Sequence, residues 1–193
     1  MKAIFADAAW RQNPAWVRLL GLCPLLAVTT TLENALGLAA ASAFVLLGSA
    51  GVVSLIRAFV PAEVRLPVFV LVIATFTSAV TMLMQAYTFD LYERVALFVQ
   101  IIVTNCMILG RLEQFASKQP VGRALMDALG TACGFAVALV ALGTAREFAA
   151  LAVPLAALAP GAFIIAGLLL AGARAGGDLA GRRLQRRTDQ VHP

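Results

Sequence analysis

Two cysteines define the chemistry open to this chain. Cys106 stands in Ile101-Ile102-Val103-Thr104-Asn105-Cys106-Met107-Ile108-Leu109-Gly110, an apolar stretch with one thiol near its middle. Cys23 stands 83 positions earlier (106 − 23), in Leu19-Leu20-Gly21-Leu22-Cys23-Pro24-Leu25-Leu26-Ala27-Val28, built to the same plan. Each stretch is followed by a Leu-Glu-amide step, Leu32-Glu33-Asn34 and Leu112-Glu113-Gln114. Thiolates are soft ligands suited to Fe–S clusters, zinc or Cu(I). A [2Fe–2S] cluster normally takes four cysteines. Two matched thiols look like half of such a site, in which case a second chain must bring the rest. A cysteine in an apolar helix is otherwise a small buried hydrophobe; the matched placement weighs against that, and spacing alone leaves both readings open. Cys133, in Gly130-Thr131-Ala132-Cys133-Gly134, has no counterpart in the other half and reads as packing among small residues. Three cysteines, an odd number, make no disulfide framework.

The elements that must position these thiols are membrane helices. Of the 193 residues, 61% are hydrophobic and only 13% charged, and mean hydropathy is +0.89. A soluble domain carries about 25% charged residues. The net charge of +5 therefore reads as membrane topology, with no nucleic-acid partner implied. Apolar runs fall at 19–32, 35–56, 66–86, 95–109, 124–144 and 151–173. A hydrocarbon core about 30 Å thick needs about 20 helical residues at about 1.5 Å each. Four runs meet that. The first and fourth, of 14 and 15 residues, reach only about 21–23 Å. Short segments in corresponding positions of two halves point to a binding site at the bilayer midplane.

The basic residues fix the orientation. With the N-terminus in the cytoplasm, the cytoplasmic pieces are 1–18, 57–65, 110–123 and 174–193. They hold 13 of the 15 Lys and Arg, leaving out only Arg94 and Arg146. Three helices per half then make the repeat an inverted one. The expected fold is an all-α integral membrane protein of six transmembrane helices in two inverted three-helix repeats. The first helix of each repeat is short. The segments are an N-terminal piece (1–18), the repeats (19–90 and 91–173) and a basic cytoplasmic tail (174–193). The start of the chain imitates a signal peptide, with Ala39-Ala40-Ala41-Ser42-Ala43 beyond it, but those small residues sit inside the second apolar run.

Other polar residues have simpler explanations. Glu33 and Glu113 follow the two short segments, where they would contact a moving cation or merely cap a helix in solvent. Asn105 would hydrogen-bond a cluster sulfur or a neighbouring helix. Asp127 reads as a carboxylate at the start of the fifth helix, favoured by the helix dipole. Arg182-Arg183 and Arg186-Arg187 suit anionic lipid. Met82, Met84 and Met107 read as packing, and His192 as a tail residue. There is no phosphate loop, dinucleotide fingerprint, hydrolytic triad or flavinylation motif.

At these residues the chain resembles a known family. Asn13-Pro14, Leu20-Gly21-Leu22-Cys23-Pro24-Leu25-Leu26-Ala27-Val28 and Leu32-Glu33-Asn34-Ala35-Leu36-Gly37-Leu38 are similar to the first half of the E-type subunit of the Rnf complex. The homologous D-type subunit of the sodium-pumping NADH:quinone oxidoreductase is similar too. The match continues through Glu63-Val64-Arg65, Ile102-Val103-Thr104-Asn105-Cys106, Gly110-Arg111, Phe115-Ala116-Ser117-Lys118 and Pro160-Gly161-Ala162-Phe163. It spans about 13–173. Gly110-Arg111 and Phe115-Ala116-Ser117-Lys118 favour the E-type subunit over its A-type paralogue.

The resemblance implies a multi-pass subunit of a bacterial inner membrane, both termini cytoplasmic. It implies pairing with an A-type paralogue of opposite orientation. Cys23 and Cys106 would then be metal ligands to a shared intramembrane [2Fe–2S] cluster. Other subunits would carry flavin, further Fe–S centres and the NAD chemistry, with none bound here. The complex would exchange electrons between ferredoxin and NAD, coupled to Na⁺ or H⁺ movement. The sequence departs from the family in lacking a Gly-rich run at Cys133 and in its Thr29-Thr30-Thr31 and Arg-rich tail. On physics alone, a six-helix inverted-repeat secondary transporter without a redox cofactor is the alternative.

Overall fold

Apolar runs with almost no charge dictate the long helices. The computed structural model describes residues 8, 19–29, 31–87, 92–93, 99–152 and 161–172. Expectations for the N-terminal piece, Arg94, the segment 153–160 and the basic tail with His192 lie outside the described residues. All regular structure among the described residues is helical.

The helices are α1 (Leu22–Val28), α2 (Leu32–Ile56), α3 (Arg65–Tyr87), α4 (Cys106–Arg111) and α5 (Val121–Ala152), then α6 (Gly161–Gly172). A 3₁₀ turn at Ala62–Val64 leads into α3 and another at Ile102–Thr104 precedes α4. A π-helical turn, Leu112–Ala116, follows α4. Among the described residues three helices, α2, α3 and α5, are long and apolar enough to cross a membrane. Most of their ends fall within a few residues of the apolar runs. The small residues at 39–43 lie within α2.

The α2 and α5 helices form the central pair. On α5, Ala124, Ala128, Phe135, Ala138, Leu139 and Leu142 recur at helical spacing and are buried. Close approach is needed at Gly143, where a Cβ would lie 3.2 Å from that of Ala35. The α3 helix packs on the other side of α2. Gly48 leaves the space that the Phe76 ring occupies, and Phe76 meets Phe44 edge to face at 6.4 Å. Only one stripe of α3, Phe69, Ile73, Thr77 and Val80, is buried. Its remaining apolar surface, including Leu71 and Met82, faces outward, as suits lipid or another chain. At the end of α2, Ser54 Oγ donates to the carbonyl of Gln119 at 2.7 Å, fixing the turn before α5.

The two short segments differ from expectation in one respect. The sequence predicts two helices of 14 and 15 residues with a thiol in the middle of each. The first run instead makes a helix of 7 residues and stops at Thr29; a new helix begins at Leu32. The fourth run breaks at Asn105, whose ψ of 113° is extended. Cys106 is therefore the first residue of α4 and Cys23 the second of α1. The breaks have local causes. Gly21 has φ +79°, which glycine adopts without strain. Pro24 fits the first helical turn, where its missing N–H costs nothing. Asn105 is a good N-cap residue.

Candidate functional site

Two chain breaks meet at one joint. The N–H of Gly21, two residues before Cys23, donates to Sγ of Cys106 at 3.1 Å. Around Gly21 stand Phe135, Met107 and Asn105: a Cβ there would lie 3.1 Å from Phe135 Cε2, 3.3 Å from Met107 Cβ and 3.5 Å from Asn105 Oδ1. The first Cys segment thus docks directly onto the second, with α5 behind both. Cys23 and Cys106 are exposed on the chain's own surface. On α1, Cys23 faces outward while Leu25 is buried.

Asn105 is 2% exposed. Its Oδ1 accepts the Met107 N–H at 3.0 Å, capping α4. Its Nδ2 is buried and has no hydrogen-bond partner among the described residues.

The far ends of both short helices are held by guanidinium groups. Arg146 of α5, 2% exposed, donates through Nη1 to the Leu26 carbonyl at 2.8 Å and to Thr29 Oγ1 at 3.2 Å. Thr29 in turn donates to the Leu25 carbonyl at 2.6 Å. The next residue, Glu147, accepts the Leu32 N–H at 3.2 Å, and Thr31 accepts that of Asn34. Adjacent residues of α5 therefore cap the end of α1 and the start of α2. In the second half, Arg111 ends α4 and donates to Asp127 at 2.5 Å and to Thr131 at 3.1 Å. A cation at the C-terminus of α1 is favourable.

Several sequence expectations change here. Asp127 does not open the fifth helix: α5 begins at Val121, and Asp127 lies inside it, 4% exposed, paired with Arg111. Arg111 is 6% exposed rather than a solvated topology residue. Cys133 does not pack within the chain; it is exposed on an outward row of α5 with Leu129 and Val137. Glu33, in the first turn of α2, and Glu113, in the π turn, lie outside the joint. Arg146 is the residue that sequence reasoning misses; its signal is a single Arg ending an apolar run.

Among the described residues no group of three or more His, Cys, Asp and Glu could hold a metal ion. The donor set at the joint fits half of a sulfur-ligated centre: two exposed soft sulfurs, one already accepting a backbone N–H. Hydrogen bonds to sulfur are among the features that tune Fe–S clusters.

Long apolar helices around short, interrupted ones define an α-helical integral membrane protein. The chain belongs to the Rnf-Nqr family of membrane protein subunits, whose model matches residues 1–170. It is 52% identical over 146 residues to the E-type subunit of the ion-translocating oxidoreductase complex of Pseudoalteromonas atlantica, covering 76% of this chain and 63% of that protein. To the corresponding subunit from Shewanella amazonensis it is 45% identical over 89% of this chain and 85% of the relative. To that of Haemophilus influenzae it is 49% identical, over 76% and 62%. The chain spans less than two thirds of the first and third of these relatives. The resemblance to the E-type subunit is borne out.

Proposed function

We propose that this chain is the E-type membrane subunit of an ion-translocating ferredoxin:NAD oxidoreductase. In this reading Cys23 and Cys106 supply two thiolates to an intramembrane [2Fe–2S] cluster, completed by an A-type paralogue of opposite orientation. The observation that carries it is the joint itself: the Gly21 N–H meets the Cys106 sulfur while both cysteines remain open at the surface. A second chain approaching that surface finds both ligands available. A buried structural cysteine would not need this exposure.

Bound there, the cluster supplies one-electron transfer between the two sides of the membrane. The chain's own residues do the holding. Gly21 and Asn105 fix the two breaks against each other, Arg146 and Arg111 hold the far ends of α1 and α4, and α5 anchors all of them. The coupled ion is Na⁺ or H⁺, and flavin and NAD belong to other subunits. Six crossings as inverted repeats, with both termini on the cytoplasmic face of a bacterial inner membrane, belong to the same reading. The support is the 13-to-2 division of basic residues and, in each half, a short Cys-bearing helix followed by a long apolar one.

The test is iron analysis and electron paramagnetic resonance on the purified complex, native and with Cys23→Ser or Cys106→Ser. Serine keeps the volume and replaces a soft ligand with a poor one. Each change is expected to abolish the intramembrane cluster signal while the other subunits' cofactors stay reducible. A Cys106→Ser complex with full signal and normal coupled turnover would overturn the reading and restore the transporter alternative.

A further inference from the structure

The two cysteines are matched in sequence but not in surroundings. Sγ of Cys106 accepts the N–H of Gly21, a residue 85 positions away. Among the described residues no donor reaches Sγ of Cys23. The bond to Cys106 depends on a glycine. At φ +79° a side chain is strained, and any Cβ would press on Phe135 and Met107. Beside it lies the Asn105 carboxamide. Its orientation is determined, because the Met107 N–H requires the oxygen. The Nδ2 donor is therefore the end left over, buried and without a partner among the described residues. A buried donor left unmet is costly, and native structures rarely tolerate one without a reason. Its immediate chain neighbour is Cys106, whose side chain is open to whatever sits on this surface.

We propose that the Gly21 N–H and the Asn105 carboxamide make Cys106 the hydrogen-bonded ligand of the shared cluster, so that this chain tunes the cluster's reduction potential from the Cys106 side. The inference rests on the cluster reading above. Gly21 and Asn105 are positioning residues in it. Donors aimed at the sulfurs stabilise the more negative, reduced state, and hydrogen bonds to sulfur are one of the levers on Fe–S potential.

The experiment is a redox titration of the intact complex, followed by electron paramagnetic resonance, with iron content measured in parallel. The variants are Asn105→Ser, Asn105→Asp and Gly21→Ala. Ser caps helices about as well as Asn, so a purely capping role predicts the native potential in Asn105→Ser. The expected result is a lowered midpoint in Asn105→Ser. Its size should be about tenfold in the oxidised-to-reduced ratio, which is about 59 mV for a one-electron couple. Asn105→Asp should lie lower still, because it replaces a donor with a negative charge. Gly21→Ala should move the same way and alter the line shape; should it fail to assemble, Asn105→Ser decides the matter. A native potential and line shape at full iron content in Asn105→Ser would overturn this inference and leave the cluster reading standing. A Cys106→Ser complex that keeps its cluster would instead remove the reading on which the inference rests.

Discussion

The α1 and α4 helices each carry a cysteine in the first turn and have a guanidinium at the last, α4 its own and α1 one from α5, and they are fastened in opposite ways. The α4 helix is specified largely by its own sequence. Asn105 caps its start from the adjacent position, and Arg111 ends it and reaches partners only 16 and 20 residues away. The α1 helix has no side-chain cap at its start, where Gly21 supplies a left-handed turn. Its end is held by Arg146, 120 residues from Leu26. Seven residues make a helix of about 10 Å, far below what is stable alone. The first cysteine is therefore placed by the second half of the chain, and the second cysteine mostly by itself. Both guanidiniums meet α5 or belong to it, so one long helix sets the relative position of the two sulfurs.

Substitutions at the two guanidiniums can break that comparison. The largest effect is expected for Arg111→Ala, which takes the guanidinium away from the buried Asp127 carboxylate. Removing one partner of such a pair costs about 3–5 kcal/mol, read as a lowered unfolding midpoint of the detergent-solubilised complex. Replacing both partners, Arg111→Met with Asp127→Leu, should recover most of the loss, because no buried charge remains. Recovery would mark the pair as a fastening; persistent loss would show that α4 needs the ions themselves.

Next in size is Arg146→Ala, at about 1.5–3 kcal/mol for the lost charge-assisted bonds. Its location matters more than its size. Amide hydrogen exchange should rise in α1 and at the start of α2 while 107–111 keep their protection. Equal loosening of both short helices would show that α4 depends on the distant half as much as α1 does. The smallest effect is expected for Cys133→Ser. The residue faces outward among the residues of its own chain, so stability should change by less than about 0.5 kcal/mol, with cluster signal unchanged. A lost signal would make Cys133 a third ligand and end the two-thiol comparison.

The membrane class, the approximate extents of α2 and α3, the existence of α5 and the family are all legible in the order of residues. These properties follow from hydropathy summed over many neighbouring residues and from short motifs, so no distant contact is needed to see them. Even the break at Asn105 has a local signal, an N-cap residue inside an apolar run. Asp127, by contrast, reads from its neighbours as a carboxylate near a helix start, and only the packing of α4 on α5 turns it into the partner of Arg111. Arg146 reads as an outer-loop cation, and only α5 lying behind α1 turns it into a helix cap. The contact of Gly21 with Cys106 is decided by the fold in the same way. An unsatisfied backbone group at a chain break takes whichever donor or acceptor the fold brings near, and that partner can stand anywhere in the sequence.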